Sequence, residues 1–321
     1  MPAAQYDALL RAKVDARADL VCTAHPLAYR AGTWDLLRVA SAEIGPHDRV
    51  MVVRATIHGD EVAGALTLLD HLDELDDHAH GRGVKLVLYP LGNPSGFERG
   101  LRYNADHHVG EGNNDFLRYR LEDGSLASDL GAGGPYAGWT MADDPALGVD
   151  LPAESRLMLE LVRQDPLDQV VAALDLHQDY ITGLPPCAYH YAFGDLGRYR
   201  AIAARISDVV PLLAGFDMDA GFGEEVDEHG ALVQRADRLA VRSDEQGALA
   251  PHQNRLAARS DEHGFIVRHD GSFSDFYQRV GAPHSIAPET SGATPMDQAM
   301  QVNRIWFTGL VDLVASEPPR P

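Results

Sequence analysis

Val50-Met51-Val52-Val53-Arg54-Ala55-Thr56-Ile57-His58-Gly59-Asp60-Glu61 is the stretch that decides the fold. Val50 to Ala55 is a short continuous run, as expected of a strand buried on both faces. Asp60 opens a helical pattern through Val62, Leu66, Leu69 and Leu72. Val84 to Leu88 reads as a further strand, ended by Pro90. Strand, helix and strand in this order predict an α/β architecture with a mainly parallel sheet.

Outward from that stretch the same alternation continues. Met1 to Leu20 suits a short amphipathic helix, with Leu9, Leu10 and Val14 as its apolar side. Trp34 to Ala40 reads as a strand, followed by a Gly45-Pro46 turn. Asn93 to Ala146 is rich in Gly, Asn, Asp and Pro and has little periodicity, as expected of a long loop that is either functional or disordered. Pro152 to Val162 is helical by pattern, and Val170 to His177 is the next buried strand. The last helix is expected to start at Thr294 as N-cap with Pro295 at the first position, its apolar side supplied by Met296, Met300, Trp306, Leu310 and Leu313. Pro318 to Pro321 reads as a frayed tail. Within 195–267, Asp227-Glu228-His229-Gly230-Ala231-Leu232 returns as Asp244-Glu245-Gln246-Gly247-Ala248-Leu249 after 17 residues, and Asp261-Glu262-His263-Gly264 starts a third time after another 17. Arg238-Leu239-Ala240 likewise returns as Arg255-Leu256-Ala257. This tandem repeat, running from 227 to 260, is too short for a solenoid, and its Asp-Glu-His-Gly units read as turns between short strands.

Composition narrows the function classes. The formal net charge of −21 over 321 residues excludes nucleic acid or an anionic membrane as partner, because phosphate binding needs clustered Lys and Arg. Lysine occurs only at Lys13 and Lys85. No run reaches the roughly 18 apolar residues of a membrane span. The N-terminus lacks the apolar core of a signal peptide, and Cys22 and Cys187 are too few for a stapled secreted framework, so a cytoplasmic protein is expected.

His58, Glu61, His177 and Glu289 each lie at or just beyond the end of a strand-like run. Open α/β sheets bind ligands at the carboxyl ends of their strands. Two imidazoles and a carboxylate can hold a zinc ion with its fourth position open, and a second carboxylate nearby can act as general base. His-x-x-Glu by itself is a weak signal, but here it follows a buried strand. Asp175 shares a strand face with His177, the arrangement by which a carboxylate orients a ligating imidazole. There is no Gly-x-Ser-x-Gly elbow, Walker loop or His-Glu-x-x-His helix to offer another scheme.

These residues carry a resemblance to the zinc carboxypeptidase superfamily, which includes murein-peptide amidases and the succinylglutamate desuccinylase/aspartoacylase branch. The matching segments are His58-Gly59-Asp60-Glu61, Asn93-Pro94-Ser95-Gly96, Arg99-Gly100-Leu101-Arg102-Tyr103-Asn104-Ala105, Asp175-Leu176-His177, Gly271-Ser272-Phe273-Ser274-Asp275-Phe276 and Glu289. The resemblance implies a single domain, 1–321, of three α/β/α layers with a mostly parallel mixed central sheet, interrupted by an insertion at 195–267. It implies one zinc ion per chain on His58, Glu61 and His177, Glu289 as base, and Arg102 as donor to the scissile carbonyl oxygen. The family segment that holds a substrate's terminal carboxylate appears as Glu111-Gly112-Asn113-Asn114-Asp115-Phe116, with Asn114 in place of the family's arginine. Asn113 is therefore expected to touch substrate, and Arg118 or Arg120 to supply the missing cation. No tyrosine precedes Gly271 as it does in the classical carboxypeptidases, and His107 and His108 fall in the variable loop.

Three readings follow. The first is a zinc hydrolase that cleaves an amide bond by metal-activated water, a metalloprotease of carboxypeptidase-like or peptide-amidase-like substrate class. The second is an N-acyl amino acid deacylase of the aspartoacylase branch. The third is a non-catalytic binding protein on the same fold. A small peptide or acylated amino acid is the expected partner, and oligomeric state is not derivable from the sequence.

Overall fold

A computed structural model of the chain describes residues 1–106, 113–179, 184–215, 224–226, 232–234 and 259–318. An eight-stranded sheet runs through it in the order β1-β2-β4-β3-β8-β13-β9-β12. The strands are β1 (Leu20–Tyr29), β2 (Gly32–Ser41), β3 (Arg49–Ala55), β4 (Val84–Tyr89), β8 (Val170–Leu176), β9 (Ala188–Phe193), β12 (Phe265–Ile266) and β13 (His284–Thr290). The four central strands β4, β3, β8 and β13 are parallel, while β1, β2 and β9 join antiparallel. This is the mostly parallel mixed sheet expected.

The burial pattern explains the layers. All of Val50 to Ala55 and all of β8 are buried. Met51, Val53 and Ala55 face one side, with α1 (Ala3–Asp15), α2 (Ala63–His80), α5 (Arg200–Ser207) and the C-terminal helix Met296–Ser316. Val50 and Val52 face the other, with α4 (Ala153–Val162) and the helix Phe273–Arg279. Burying a side chain such as Leu68 or Leu72 is worth roughly 1.5–3 kcal/mol, so each layer holds by many modest contributions.

Several expectations are corrected. Helix α2 starts at Ala63 rather than at Asp60, because residues 58–62 fold into tight turns, with Glu61 N donating to His58 O and Val62 N to Asp60 O, both at 3.1 Å. Thr294 does not cap the last helix: its hydroxyl donates to Cys187 O at 3.2 Å, and Pro295 occupies the cap position. Leu9 is 44% exposed, and Ala3, Tyr6, Leu10 and Val14 form the buried face of α1. Strand β1 has no clear sequence signature because Pro26 sits inside it, which an edge strand tolerates. The segment from Asn93 to Ala146 is not structureless: it holds α3 (Pro94–Arg99) and a small sheet of β5 (Leu117–Arg120), β6 (Leu126–Ala127) and β7 (Gly138–Met141).

Within 195–267, α5 places Ile202, Ala203 and Ile206 in the main core, and β12 extends the sheet beside β9. Two short strands, β10 (Glu224–Val226) and β11 (Leu232–Gln234), pair antiparallel. Most of the 17-residue repeat lies outside the described residues, as do His107, His108 and residues 319–321. Its third unit is described, and it is a turn: Asp261 Oδ1 accepts from His263 N and Phe265 N at 2.8 and 2.9 Å, and Gly264 adopts φ +74°. No described helix is long and apolar enough to cross a membrane.

Candidate metal centre

The central parallel strands release their chains on one edge of the sheet. Leaving β3, Thr56 takes φ +55°, rare for a β-branched residue and costing roughly 1–3 kcal/mol. Its hydroxyl donates to Glu61 O at 2.9 Å and accepts from Ala65 N at 3.3 Å, and Asn93 N donates to Thr56 O at 2.9 Å. These bonds hold the turn that lifts His58 and Glu61 to one side. Gly59 must be glycine, because a Cβ there would stand 2.3 Å from Gly96 C and 2.4 Å from Phe97 N. Asn93 caps α3 by accepting from Gly96 N at 2.9 Å, which fixes the backbone pressed against Gly59.

His177 leaves β8 with its backbone N bonded to Pro288 O of β13 at 3.1 Å, so Glu289 comes up beside it. Single ligand atoms of His58, Glu61 and His177 lie within 4.8 Å of one another, and all three residues are buried. His177 Nδ1 is 2.8 Å from Glu61 Oε2 and 3.8 Å from Glu289 Oε1. Arg102 Nη1 donates to Glu61 Oε1 at 2.8 Å, and Nη2 lies 3.0 Å from His58 Nε2. Among the described residues, neither Nδ1 of His58 nor Oε2 of Glu289, both buried, has a partner at hydrogen-bonding geometry. Two imidazoles and a carboxylate whose ligand atoms converge fit a tetrahedral divalent ion such as zinc with its fourth position open.

Electrostatics set the four groups apart. Burial, helped by the charge of Arg102, holds the His58 imidazole well below its ordinary value, so it is neutral with a lone pair to give. Burial would also lower His177, but Asp175, Glu289 and Glu61 together raise it. Asp175 is buried too, yet Arg54 and His177 keep it ionised. Burial pushes the Glu289 carboxyl well up, against the pull of His177.

The centre lies in a cavity of about 330 Å³. Arg102, Asn114, Tyr189, Tyr191, Asp270 and Glu289 are among its lining residues. Tyr189 and Tyr191 escaped the sequence reading. The signal was there in the alternation Tyr189-His190-Tyr191 on β9, which pairs with β13 so that Tyr189 stands opposite Glu289. Tyr189 donates its hydroxyl to Asp179.

Two expected substrate contacts lie away from the cavity lining. Asn113 is wholly buried and does not line the cavity; its Nδ2 donates to Ile57 O at 2.6 Å and Arg102 O at 3.2 Å, tying the two site loops together. Arg118 does not line it either, donating instead to Asp115 Oδ2 at 2.7 Å and to Leu117 O at 3.1 Å. Asn114 does face the cavity, but its side-chain oxygen accepts from Arg54 Nη2 and from Phe273 N.

Residues 47–119 match the family described as the succinylglutamate desuccinylase/aspartoacylase catalytic domain. No protein of curated function matches the sequence. The fold is similar to that of a candidate metallopeptidase from Shewanella amazonensis SB2B, at 22% identity over 98% of this chain and 94% of that one, with a TM-score of 0.63. A second, from Shewanella baltica OS155, gives 20% identity over 97% and 91% of the two chains and the same TM-score of 0.63. A metallo-carboxypeptidase from Burkholderia cenocepacia gives 11% over 97% of this chain and 68% of that one, with a TM-score of 0.53. The likeness to the zinc carboxypeptidase superfamily read from the motifs therefore holds, and the fold is zinc-carboxypeptidase-like.

Proposed function

We propose that the chain is a zinc-dependent hydrolase that cleaves an amide bond in a peptide or peptide-like substrate by attack of water. One observation carries this reading: His58, Glu61 and His177 converge within reach of a single ion, in a cavity that also presents Glu289 and Arg102. Bound there, zinc supplies Lewis acidity and lowers the pKa of its water to about 7. Glu289 is the group placed to take a proton from the attacking water and to return it to the leaving amine nitrogen. Arg102, which lines the same cavity and donates to Glu61 Oε1 at 2.8 Å, would donate to the scissile carbonyl oxygen as that oxygen gains negative charge. Asp175, bonded to His177 Nε2 at 2.9 Å, fixes the imidazole.

The substrate class follows from the opposite wall. A free C-terminal carboxylate calls for a bidentate guanidinium. Asn114 has no such group, Arg118 is turned onto Asp115, and the cavity-lining guanidinium of Arg268 is engaged through Nε and Nη2 by Asp129 Oδ2. We therefore favour a peptide-amidase-like substrate over one recognised by its C-terminus. The match of residues 47–119 supports a second reading, an N-acyl amino acid deacylase.

The test has two parts. Zinc content is measured on the purified chain, and a panel of dipeptides, γ-linked and branched peptide amides, and N-acetyl and N-succinyl amino acids is assayed. About one zinc per chain and turnover confined to the peptide amides is the expected result; turnover confined to the N-acyl amino acids selects the deacylase. Glu289→Gln should keep the zinc and lose about 10²- to 10⁴-fold in turnover, the usual worth of a general base. Full activity in that variant would remove Glu289 from the mechanism, and zinc binding with no turnover across the panel would favour the non-catalytic binding protein.

A further inference from the structure

Arg54 follows the apolar run Val50 to Val53 and is wholly buried on β3. The parallel register of β3 and β8 sets it directly beside Asp175. Nε donates to Asp175 Oδ1 at 2.8 Å, and Nη2 donates to Asp175 Oδ2. The guanidinium lies against two rings, with Cζ 4.5 Å from the centroid of Phe273 and 5.2 Å from that of Phe116. Nη2 also donates to Asn114 Oδ1 on the cavity wall. On the other side, Asp175 Oδ2 meets His177 Nε2, and His177 Nδ1 faces Glu61.

A buried carboxylate held at one oxygen can swing about its bond to Cβ. Held at both oxygens by a guanidinium fork, it has one orientation, because two parallel hydrogen bonds fix its plane. The plane of Asp175 then aims Oδ2 at His177 Nε2 and fixes the rotation of that ring. Phe116 and Phe273 in turn hold the fork. We propose that Arg54 is a positioning residue for the metal centre: through Asp175 it sets the imidazole of His177, and through Asn114 it ties that imidazole to the substrate wall. The inference rests on the reading of His177 as a ligand of a divalent cation.

Zinc dissociation constants are measured on the full chain by competition with a chromophoric chelator, for the natural sequence, Arg54→Met, Arg54→Lys, Asp175→Asn and the double variant Arg54→Met/Asp175→Asn. Melting temperatures of the metal-free proteins and the visible spectra of the cobalt-substituted proteins accompany them. Arg54→Met should weaken zinc binding about 10- to 100-fold, the range for partners behind a metal ligand, and shift the cobalt bands. Arg54→Lys keeps the charge but not the fork, and should recover only part of the loss. The double variant should bind no worse than the weaker single variant, because both act through one bond. An unchanged zinc constant and cobalt spectrum with a lowered melting temperature would make Arg54 a structural ion pair only, and so would full recovery in Arg54→Lys. If Arg54→Met fails to fold, Arg54→Lys and Asp175→Asn decide the matter by the same constants. Failure of the natural chain itself to bind zinc would overturn the metal reading and this inference together, whereas normal binding by both the natural chain and Arg54→Met overturns the inference alone.

Discussion

His58, Glu61, His177 and Glu289 arrive on or just past strand ends, whereas Asn113, Asn114 and Arg118 arrive on the segment between α3 and β7. The first group turns its polar atoms toward one point. The second turns its polar atoms toward backbone carbonyls, a neighbouring aspartate and Arg54. The difference lies in what fixes direction. A parallel strand in a buried sheet has its exit point and side-chain alternation set by register, so a residue one or two places beyond it has little choice. A residue on a loop or a short strand outside the main sheet points wherever its best hydrogen bond lies, and buried backbone carbonyls compete for every donor within reach.

The comparison is most easily broken at the strand ends. His177→Ala should weaken zinc binding more than about 100-fold, beyond the range for residues that only support a ligand. It should also abolish the stabilisation that zinc gives the natural chain, which is about 2.7 kcal/mol when free zinc is 100 times the dissociation constant. Chelator competition and melting with and without zinc measure both. Zinc binding by His177→Ala at natural strength would mean that the convergence of these side chains has nothing to do with a metal.

The next largest effect belongs to the wall. Asn113→Ala takes the buried donor from Ile57 O, while Arg102 O keeps Gly59 N and Asn93 Nδ2, and should cost about 1–3 kcal/mol of stability. Arg118→Ala loses a largely buried ion pair with Asp115 and the bond to Leu117 O, and should cost about 1–3 kcal/mol. Neither should change KM by more than about twofold, since neither residue lines the cavity. A tenfold rise in KM for Asn113→Ala at an unchanged melting temperature would restore it as a substrate contact.

These contrasts explain how far the sequence could be read. Val50 to Ala55 announced its strand because every position is buried, and the approach of His177 to Glu289 followed from parallel neighbours. The parallel sheet and its helical layers were legible for the same reason. Arg54 was not, because an arginine inside an apolar run gives no hint of its partner until the register pairs it with Asp175. Family position suggested a substrate role for Asn113, whereas in the structure its amide is taken up by carbonyls contributed from both site loops. Tyr189 and Tyr191 needed the order of β9 next to β13, which periodicity alone does not contain.

The two regions also differ in what supports them, and this gives the smallest test. Behind the metal centre stands a paired charge, Arg54 with Asp175. Behind the loop that carries Arg102 stands an unpaired carboxyl: Glu154 of α4 is wholly buried, and its Oε2 accepts from Asn104 Nδ2 at 2.6 Å and Tyr29 OH at 3.1 Å. Burial raises its pKa from 4.5 to about 7, against the lowering effect of its hydrogen bonds. Between those two values the unfolded chain has lost a proton that the folded chain keeps. The contribution of Glu154 is therefore full below the unfolded value and falls as pH rises, by about 2 kcal/mol between pH 5.5 and 7.5, levelling off above the folded value. Glu154→Gln keeps an acceptor for Asn104 and Tyr29 but cannot ionise. Urea unfolding at several pH values should show the natural chain losing this stability across the interval and the variant losing about 2 kcal/mol less. Equal slopes in the two proteins would mean that Glu154 is charged throughout, and that the loop carrying Arg102 rests on an ion just as the metal ligands do.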